Sequence, residues 1–410
     1  MNIAYFHYRF GDTDGVSLTD DHLSKAFQLL GHKVFFCAGY FKGGVKGETI
    51  PLLDFYHPKI KEINKHLFDR NANTPEDKEI FQLADLIQKN LKDFLLKNKI
   101  DLIMTSNVLS IGLNLPFAIA LTRISQELKL NIVARCNEFW WQREYFSDTK
   151  FAHLLYEYLP PRTGNIKFVT INSHTQRRLK EKFGIKAQVL HDLFDYSYKN
   201  NKSDNFNSTF RSDFNISKDS LLILQSSRIV RRKRVDRGII LADKLIKYNP
   251  TVVITGFDGD ETERYFTEVT SLANVLGIDT KFIANGVTLH RSENNGKKIY
   301  SYYDAYVNCD LVAYLADLEG FGNQVIETVF FKKPLVVNCY KVYEEDIKKY
   351  GFDFVETDGG QITPDVIFQI EELLNNKKKL KKVVDYNYQI GKEHFSIKAN
   401  LNILKNLLEF

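Results

Sequence analysis

Short apolar runs alternate with stretches of helical periodicity along nearly the whole chain, and this alternation limits the fold more than any other feature. In the first half, Asn2 to Phe6, Lys33 to Ala38, Asp101 to Ser106, Asn131 to Arg135, Phe168 to Ser173 and Gln188 to His191 read as strands. Between the first two, Leu18, His22, Leu23, Ala26, Phe27 and Leu30 recur at helical spacing, with Ser17 or Thr19 as the cap. Glu76 to Asn98 and Phe117 to Leu128 read as further helices. The stretch from Asp195 to Lys218 is rich in Asn, Ser, Asp and Lys and poor in aliphatics, so it reads as a connection. After it the alternation restarts. Leu221 to Ser226, Thr251 to Gly256, Thr280 to Ala284, Leu311 to Ala316, Leu335 to Asn338 and Phe352 to Glu356 are strands. Val235 to Tyr248, Glu261 to Leu276, Lys297 to Cys309, Gln324 to Lys333 and Pro364 to Asn375 are helices, followed by a Lys-rich helical tail.

Two such halves imply an α/β chain of two doubly wound, Rossmann-like domains facing each other across a cleft. The expected boundaries are 1–195 and 219–382, joined by a linker at 196–218, with a helical tail at 383–410 packing back on the first domain. At 410 residues the chain is too long for one comfortable core. With 31 Phe and 21 Tyr against only 2 Met, aromatic rings must fill much of those cores. The formal net charge of +5 suits an anionic ligand and weak peripheral contact with an acidic membrane surface, but it is no nucleic-acid signature. Cys37, Cys136, Cys309 and Cys339 are far apart, with neither metal-ligand nor disulfide spacing. The sequence opens directly on a strand, without a charged-then-apolar leader, and holds no apolar run of membrane-spanning length. It reads as a cytoplasmic protein.

Two stretches carry chemistry. The first, Asp317-Leu-Glu-Gly-Phe-Gly-Asn-Gln-Val-Ile-Glu327, joins a strand to a helix. Gly320 and Gly322 leave room for a ligand to approach backbone N–H groups, and the helix start at Asn323 suits an anionic oxygen. Glu319 and Glu327 can accept hydrogen bonds from paired hydroxyls. Carboxylates beside a phosphate site suggest a ligand with both sugar and phosphate. The structural alternative is that Asn323 caps the helix, Glu327 favours its dipole and the glycines serve only the turn. The second stretch, Ser227-Arg-Ile-Val-Arg-Arg-Lys-Arg234, is a basic cluster between strand and helix, where Arg228 and Lys233 can straddle a diphosphate. A solvated charged face is the competing reading of that cluster, and RNA contact another. Both stretches fall on the same edge of one expected sheet. The first half has no dinucleotide GxGxxG after its first strand, which argues against a dehydrogenase.

Together, Ser-Arg228-Ile-Val-Arg-Arg-Lys233 and Glu319-Gly-Phe-Gly-Asn-Gln-Val-Ile-Glu327 resemble the retaining glycosyltransferases of family 4, whose fold is GT-B. The resemblance implies that Arg228 and Lys233 hold the donor diphosphate and that Glu319 contacts the donor sugar. It places the backbone of Gly320, Phe321, Gly322 and Asn323 near sugar and phosphate, and Glu327 on the ribose. It makes the first domain the acceptor side, where Asp14 and Gly15 occupy the loop after the first strand; an ordinary turn is the other reading of Asp14. The segment Ala134-Arg-Cys-Asn-Glu-Phe-Trp-Trp-Gln-Arg-Glu144 is similar to an Arg-x-His-Asp-Phe-x-Trp-Glu-Arg-Glu pattern in a branch that includes mannosylglucosylglycerate synthase-like enzymes. Asn137 stands where that pattern has His, and Glu138 where it has Asp. Asn137 can bond a sugar hydroxyl but cannot titrate near neutral pH.

Arg135, Arg143 and the Trp140–Trp141 pair can frame an acceptor carrying a carboxylate or phosphate, or the tryptophans can serve the core. Asp12-Thr-Asp14 and Asp258-Gly-Asp260 read DxD, a metal–diphosphate signature of another fold, but short acidic turns produce it by chance. No metal and no cofactor beyond the nucleotide-sugar co-substrate is expected, because the cations already neutralise the diphosphate. The expected activity is retaining transfer of a hexose to a hydroxyl of a small-molecule, glycan or lipid-linked acceptor. The alternatives are a sugar-nucleotide epimerase of the same fold and a non-catalytic nucleotide-sugar-binding subunit.

Overall fold

The computed structural model describes residues 1–11, 15–68, 77–143, 146, 149, 151–256 and 263–410. It divides into two compact units. The first comprises Met1–Asp12, Thr19–His191 and Asn400–Phe410; the second comprises Thr13–Leu18 and Asp192–Ala399.

The first unit is built on a seven-stranded sheet. Its strands are β1 (Asn2–Phe6), β2 (Lys33–Ala38), β3 (Glu48–Thr49), β4 (Leu102–Ser106), β5 (Asn131–Cys136), β6 (Ile166–Thr170) and β7 (Ala187–Val189). They run in the order β3-β2-β1-β4-β5-β6-β7 with every pairing parallel. Such a sheet is buried on both faces, and every residue of β4 is buried. Strand order reverses between β1 and β4. Helix α1 (Gly15–Leu29) follows β1, and α2 (Asp77–Lys97) packs against α3 (Leu115–Glu127). Helix α1 begins at Gly15, so Ser17 and Thr19 lie inside it and do not cap it.

The second unit repeats the plan with β8 (Leu222–Gln225), β9 (Thr251–Ile254), β10 (Asp279–Phe282), β11 (Leu311–Tyr314), β12 (Leu335–Asn338) and β13 (Val355–Thr357). Their order is β10-β9-β8-β11-β12-β13, again all parallel, with the reversal between β8 and β11. Helix α4 (Val235–Lys244) packs so closely on β8 that a Cβ on Gly238 would stand 1.1 Å from Gln225 Nε2.

Several sequence expectations are corrected. Lys297 to Cys309 is not one helix: Lys297–Ser301 is a strand in a small three-stranded sheet, and α5 runs only from Tyr302 to Asn308. Ser301 stops the strand and caps the helix, accepting from Tyr303 N at 3.2 Å while Asp304 Oδ2 accepts from Ser301 N at 2.9 Å. The expected linker at 196–218 is folded into the second unit. Polar composition hid the rings that anchor it: Phe206 and Phe210 pack edge-on against Tyr300 at 5.5 and 5.1 Å. Asn207 Nδ2 donates to Asp304 Oδ1 at 3.0 Å, and Arg291 Nη1 donates to Asp204 at 2.6 Å. The tail is divided: α6 (Asn323–Phe330) packs against α7 (Lys377–Phe395) in the second unit, whereas α8 (Leu401–Leu408) belongs to the first. Among the described residues, no helix is long and apolar enough to cross a membrane.

Because Phe210 is fully buried, Phe210→Ala should destabilise the second unit by about 3–5 kcal/mol. Urea unfolding measures this; a change below about 1 kcal/mol, the scale of a surface substitution, would restore the linker reading.

Candidate active site

In an open parallel sheet, ligands sit beyond the carboxyl ends of the strands where strand order reverses. In the second unit that point lies between β8 and β11, whose following loops are the basic and the acidic stretch. The structure brings the two together. Glu319 is 8% exposed and forms an ion pair with Lys233 Nζ, while Arg232 Nη1 lies 3.6 Å from its other oxygen. Burial holds the Lys233 ammonium below its ordinary pKa; Glu319 opposes this, and the like charges of Arg232 and Arg228 reinforce it. Arg228 itself is exposed at the end of the loop's first segment. The Lys233 ammonium also lies 5.6 Å from the centre of the Tyr314 ring.

The loops are tied by a second layer that the sequence did not single out. Arg237, on α4, donates from Nη1 to Leu315 O at 2.8 Å and to Asp317 Oδ1 at 2.5 Å, and from Nη2 to Gly359 O at 2.8 Å. One guanidinium therefore fastens the ends of β11 and β13 to the helix that follows the basic loop. Arg234 Nη1 adds a bond to Asp317 Oδ2 at 3.1 Å, and Asp317 N donates to Arg232 O at 2.9 Å. Asp317 was visible in sequence as the start of the motif, but nothing in a linear pattern shows which of several arginines reaches it.

Gly322, at φ +119°, is the cap residue of α6, so the helix begins at Asn323 and Asn323 is not its cap. A Cβ there would meet Tyr340 Oη at 2.2 Å, and that hydroxyl donates to Phe321 O at 2.5 Å. The Phe321 ring is buried, 5.7 Å from Phe395, which leaves only its backbone to face a ligand. Asn323 Nδ2 donates to Gly15 O at 2.9 Å within the second unit. Gly320 lies between Glu319 and this turn. Asp14, Asp12, Asp258 and Asp260 lie outside the described residues.

Glu327 is buried on α6. Tyr302 and Tyr306 of α5 donate to its Oε2 at 2.9 and 2.5 Å, and Tyr306 Oη lies 2.5 Å from Ser226 Oγ. Burial pushes the Glu327 carboxyl up to about 7; the two tyrosine bonds act against that shift, as does Lys233, whereas Asp192 adds to it. Tyr302 Oη also lies 3.1 Å from Ser226 O. A protonated Glu327 completes this network, since it can donate to Tyr302 while Tyr302 donates to Ser226.

In the first unit, Arg135 is 1% exposed and donates to Asn137 Oδ1 at 2.9 Å. Arg143 forks onto Glu138, with Nε 2.8 Å from Oε2 and a second bond from Nη2 to Oε1. Both guanidiniums expected to frame an anionic acceptor are thus engaged by the chain's own side chains. Trp140 is core, its Nε1 donating to Leu159 O at 2.7 Å. Trp141 stacks on Phe139 at 4.6 Å and leans on Phe183 at 4.8 Å. The sequence reading missed Asp20, fully buried on α1, whose Oδ1 accepts from Tyr5 Oη at 2.6 Å and Ser106 Oγ at 2.7 Å. Burial raises its carboxyl above the usual range, while His7 and Arg135 pull it back.

Glu327 has an ordinary value of 4.5 and a folded value of about 7, so the folded state binds the extra proton between them and stability falls as pH rises through that window. Glu327→Gln can accept both tyrosine bonds without a charge. It should be more stable than the parent at pH 8, with the advantage fading towards pH 4, as followed by urea midpoints; an equal pH slope in both proteins would refute this.

Comparison with known proteins agrees with this geometry. Residues 206–390 match the family described as Glycosyl transferases group 1. The chain is 29% identical over 439 residues to a mannosylglucosylglycerate synthase of Thermotoga maritima, covering 98% of this chain and 99% of that one. It is 28% identical to the Petrotoga mobilis protein of the same name, over 87% of this chain and 86% of the other. A structure of Anabaena HepE with UDP and glucose superposes over 100% of both chains with a TM-score of 0.67 at 15% identity. A glycosyltransferase from Rickettsia africae does so over 100% of this chain and 98% of its own, with a TM-score of 0.65 at 16% identity. With a glycosyl transferases group 1 domain at residues 206–390 and two Rossmann-like parallel sheets, the chain is a glycosyltransferase of GT-B fold.

Proposed function

We propose that this glycosyltransferase moves a hexose from a nucleoside-diphosphate sugar to a hydroxyl of a small glycoside, with retention of anomeric configuration and without a metal ion. The observation that supports it most is the convergence of Lys233, Arg232 and Glu319 at the β8–β11 reversal. The cations neutralise a diphosphate, and the carboxylate, released from Lys233 by that exchange, accepts bonds from sugar hydroxyls. Mannosylglucosylglycerate, in the relatives' name, makes mannose the first candidate for the sugar and glucosylglycerate for the acceptor.

In the reaction, the bond between the sugar's anomeric carbon and the β-phosphate oxygen breaks, and a bond from the acceptor oxygen to that carbon forms on the same face. The acceptor hydroxyl proton passes to the departing phosphate. Negative charge grows on the phosphate as the bond lengthens, and fixed cations aimed at it lower the barrier. Lys233 is suited to this because it is already largely desolvated, so little reorganisation is needed when the charge develops.

Lys233→Ala should lower kcat about 10²–10³-fold, the usual cost of removing one such donor, while the protein still folds. Turnover should persist in a chelator. A thermal-shift series with UDP, GDP, ADP and their sugars should show the true donor raising Tm most, since ligand binding stabilises the folded state by mass action. Loss of all activity in chelator would favour metal-dependent chemistry instead. Arg237→Lys, which cannot span three carbonyl and carboxylate partners, should lower kcat more than donor affinity; unchanged kcat would show that the loops hold without it.

A further inference from the structure

The first unit has its own strand-order reversal, between β1 and β4, and His7 is the first residue after β1. It is 8% exposed, and its Nδ1 lies 2.6 Å from Arg9 O. A carbonyl oxygen only accepts, so Nδ1 carries the hydrogen in that bond. With that hydrogen on Nδ1, the neutral form of the ring has its lone pair on Nε2, for which the described residues provide no hydrogen-bond partner. Around the ring stand the Asp20 carboxylate of α1, with Oδ2 4.0 Å from Nδ1, and the rings of Tyr8 and Phe10 at 5.4 and 5.7 Å.

The neighbouring strand ends complete the picture. Tyr8 Oη donates to Asn107 O at 3.2 Å, and Asn107 Oδ1 accepts from Asn137 N at 2.8 Å, so the segments after β1, β4 and β5 are linked. A guanidinium only donates, so the bond from Arg135 takes the Asn137 amide oxygen and leaves its NH2 as a donor. Among the described residues at this end of the sheet, His7 Nε2 can accept a hydrogen bond and Asn137 Nδ2 can donate one. The chemistry that matches one acceptor and one neutral donor is hydroxyl groups, which both donate and accept.

We propose that His7 is an acceptor-binding residue, its Nε2 receiving a hydrogen bond from a hydroxyl of the acceptor sugar. The inference rests on the transferase reading above. Asparagine places a donor where Nδ1 stands and so keeps the Arg9 bond, while it has nothing at Nε2; glutamine places an acceptor near Nε2. His7→Asn should therefore fold with unchanged Tm and bind the nucleoside diphosphate as the parent does, yet raise the KM for glucosylglycerate about tenfold, on the scale of one lost hydrogen bond. His7→Gln should recover part of that loss. Parent-like KM in His7→Asn, with the parent enzyme turning over, would overturn the His7 assignment alone. So would equal losses in both variants together with a lowered Tm, the mark of a purely structural role. No transfer to glucosylglycerate by the parent enzyme would overturn the acceptor reading and this inference together.

Discussion

An ammonium and a carboxylate held largely out of water at the ends of two neighbouring parallel strands set the terms for the second unit. Neither charge could stay there alone, because desolvating an ion without a partner costs several kcal/mol. Lys233 and Glu319 supply each other's partner, and Arg232 adds a third charge from the same loop. The pair is also a store of readiness. A ligand that brings phosphate to the lysine and hydroxyls to the glutamate replaces one set of partners with another, without having to strip water from either group.

That arrangement depends on loops that do not drift. Asp317 is gripped by Arg234 and Arg237, and Arg237 reaches the ends of two strands at once. Behind it, Glu327 is bonded to Tyr302 and Tyr306, and both tyrosines in turn reach Ser226, so the Glu327 carboxyl is connected to the end of the strand carrying the basic loop. Gly322 allows Tyr340 to close against the turn from below. In the first unit a comparable polar network of Tyr5, Asp20, Ser106 and Arg135 stands at the equivalent strand-order reversal. Both units thus place a network of buried polar groups where the strand order of a parallel sheet reverses.

The strands were readable because strands buried on both faces of a parallel sheet are rich in apolar side chains, as in β4, β8 and β11. The errors came where local composition misrepresented burial. Residues 196–218 look solvated by their Asn, Ser and Lys content, yet Phe206 and Phe210 dock beside Tyr300 and Asn207 and Asp204 bond to the same unit. Lys297 to Cys309 has helical spacing, but Ser301 and Asp304 form a capping box that splits it. The partners of the acceptor-side arginines were also not readable: Arg135 donates to Asn137 and Arg143 to Glu138.

From the sequence alone followed the α/β alternation, its restart in a second half, and the two loops carrying opposite charge, since each depends only on residue type and spacing along the chain. Only the tertiary structure decided that Glu319 selects Lys233 and Arg232, that Arg234 and Arg237 are the arginines that bind the Asp317 carboxylate, and that His7 and Asp20 share one buried corner. The physical reason is distance in the chain. Strand order sets which loop ends become neighbours, and the strength of a charge pair or hydrogen bond is fixed by separation in space and exclusion of water, neither of which a linear pattern records.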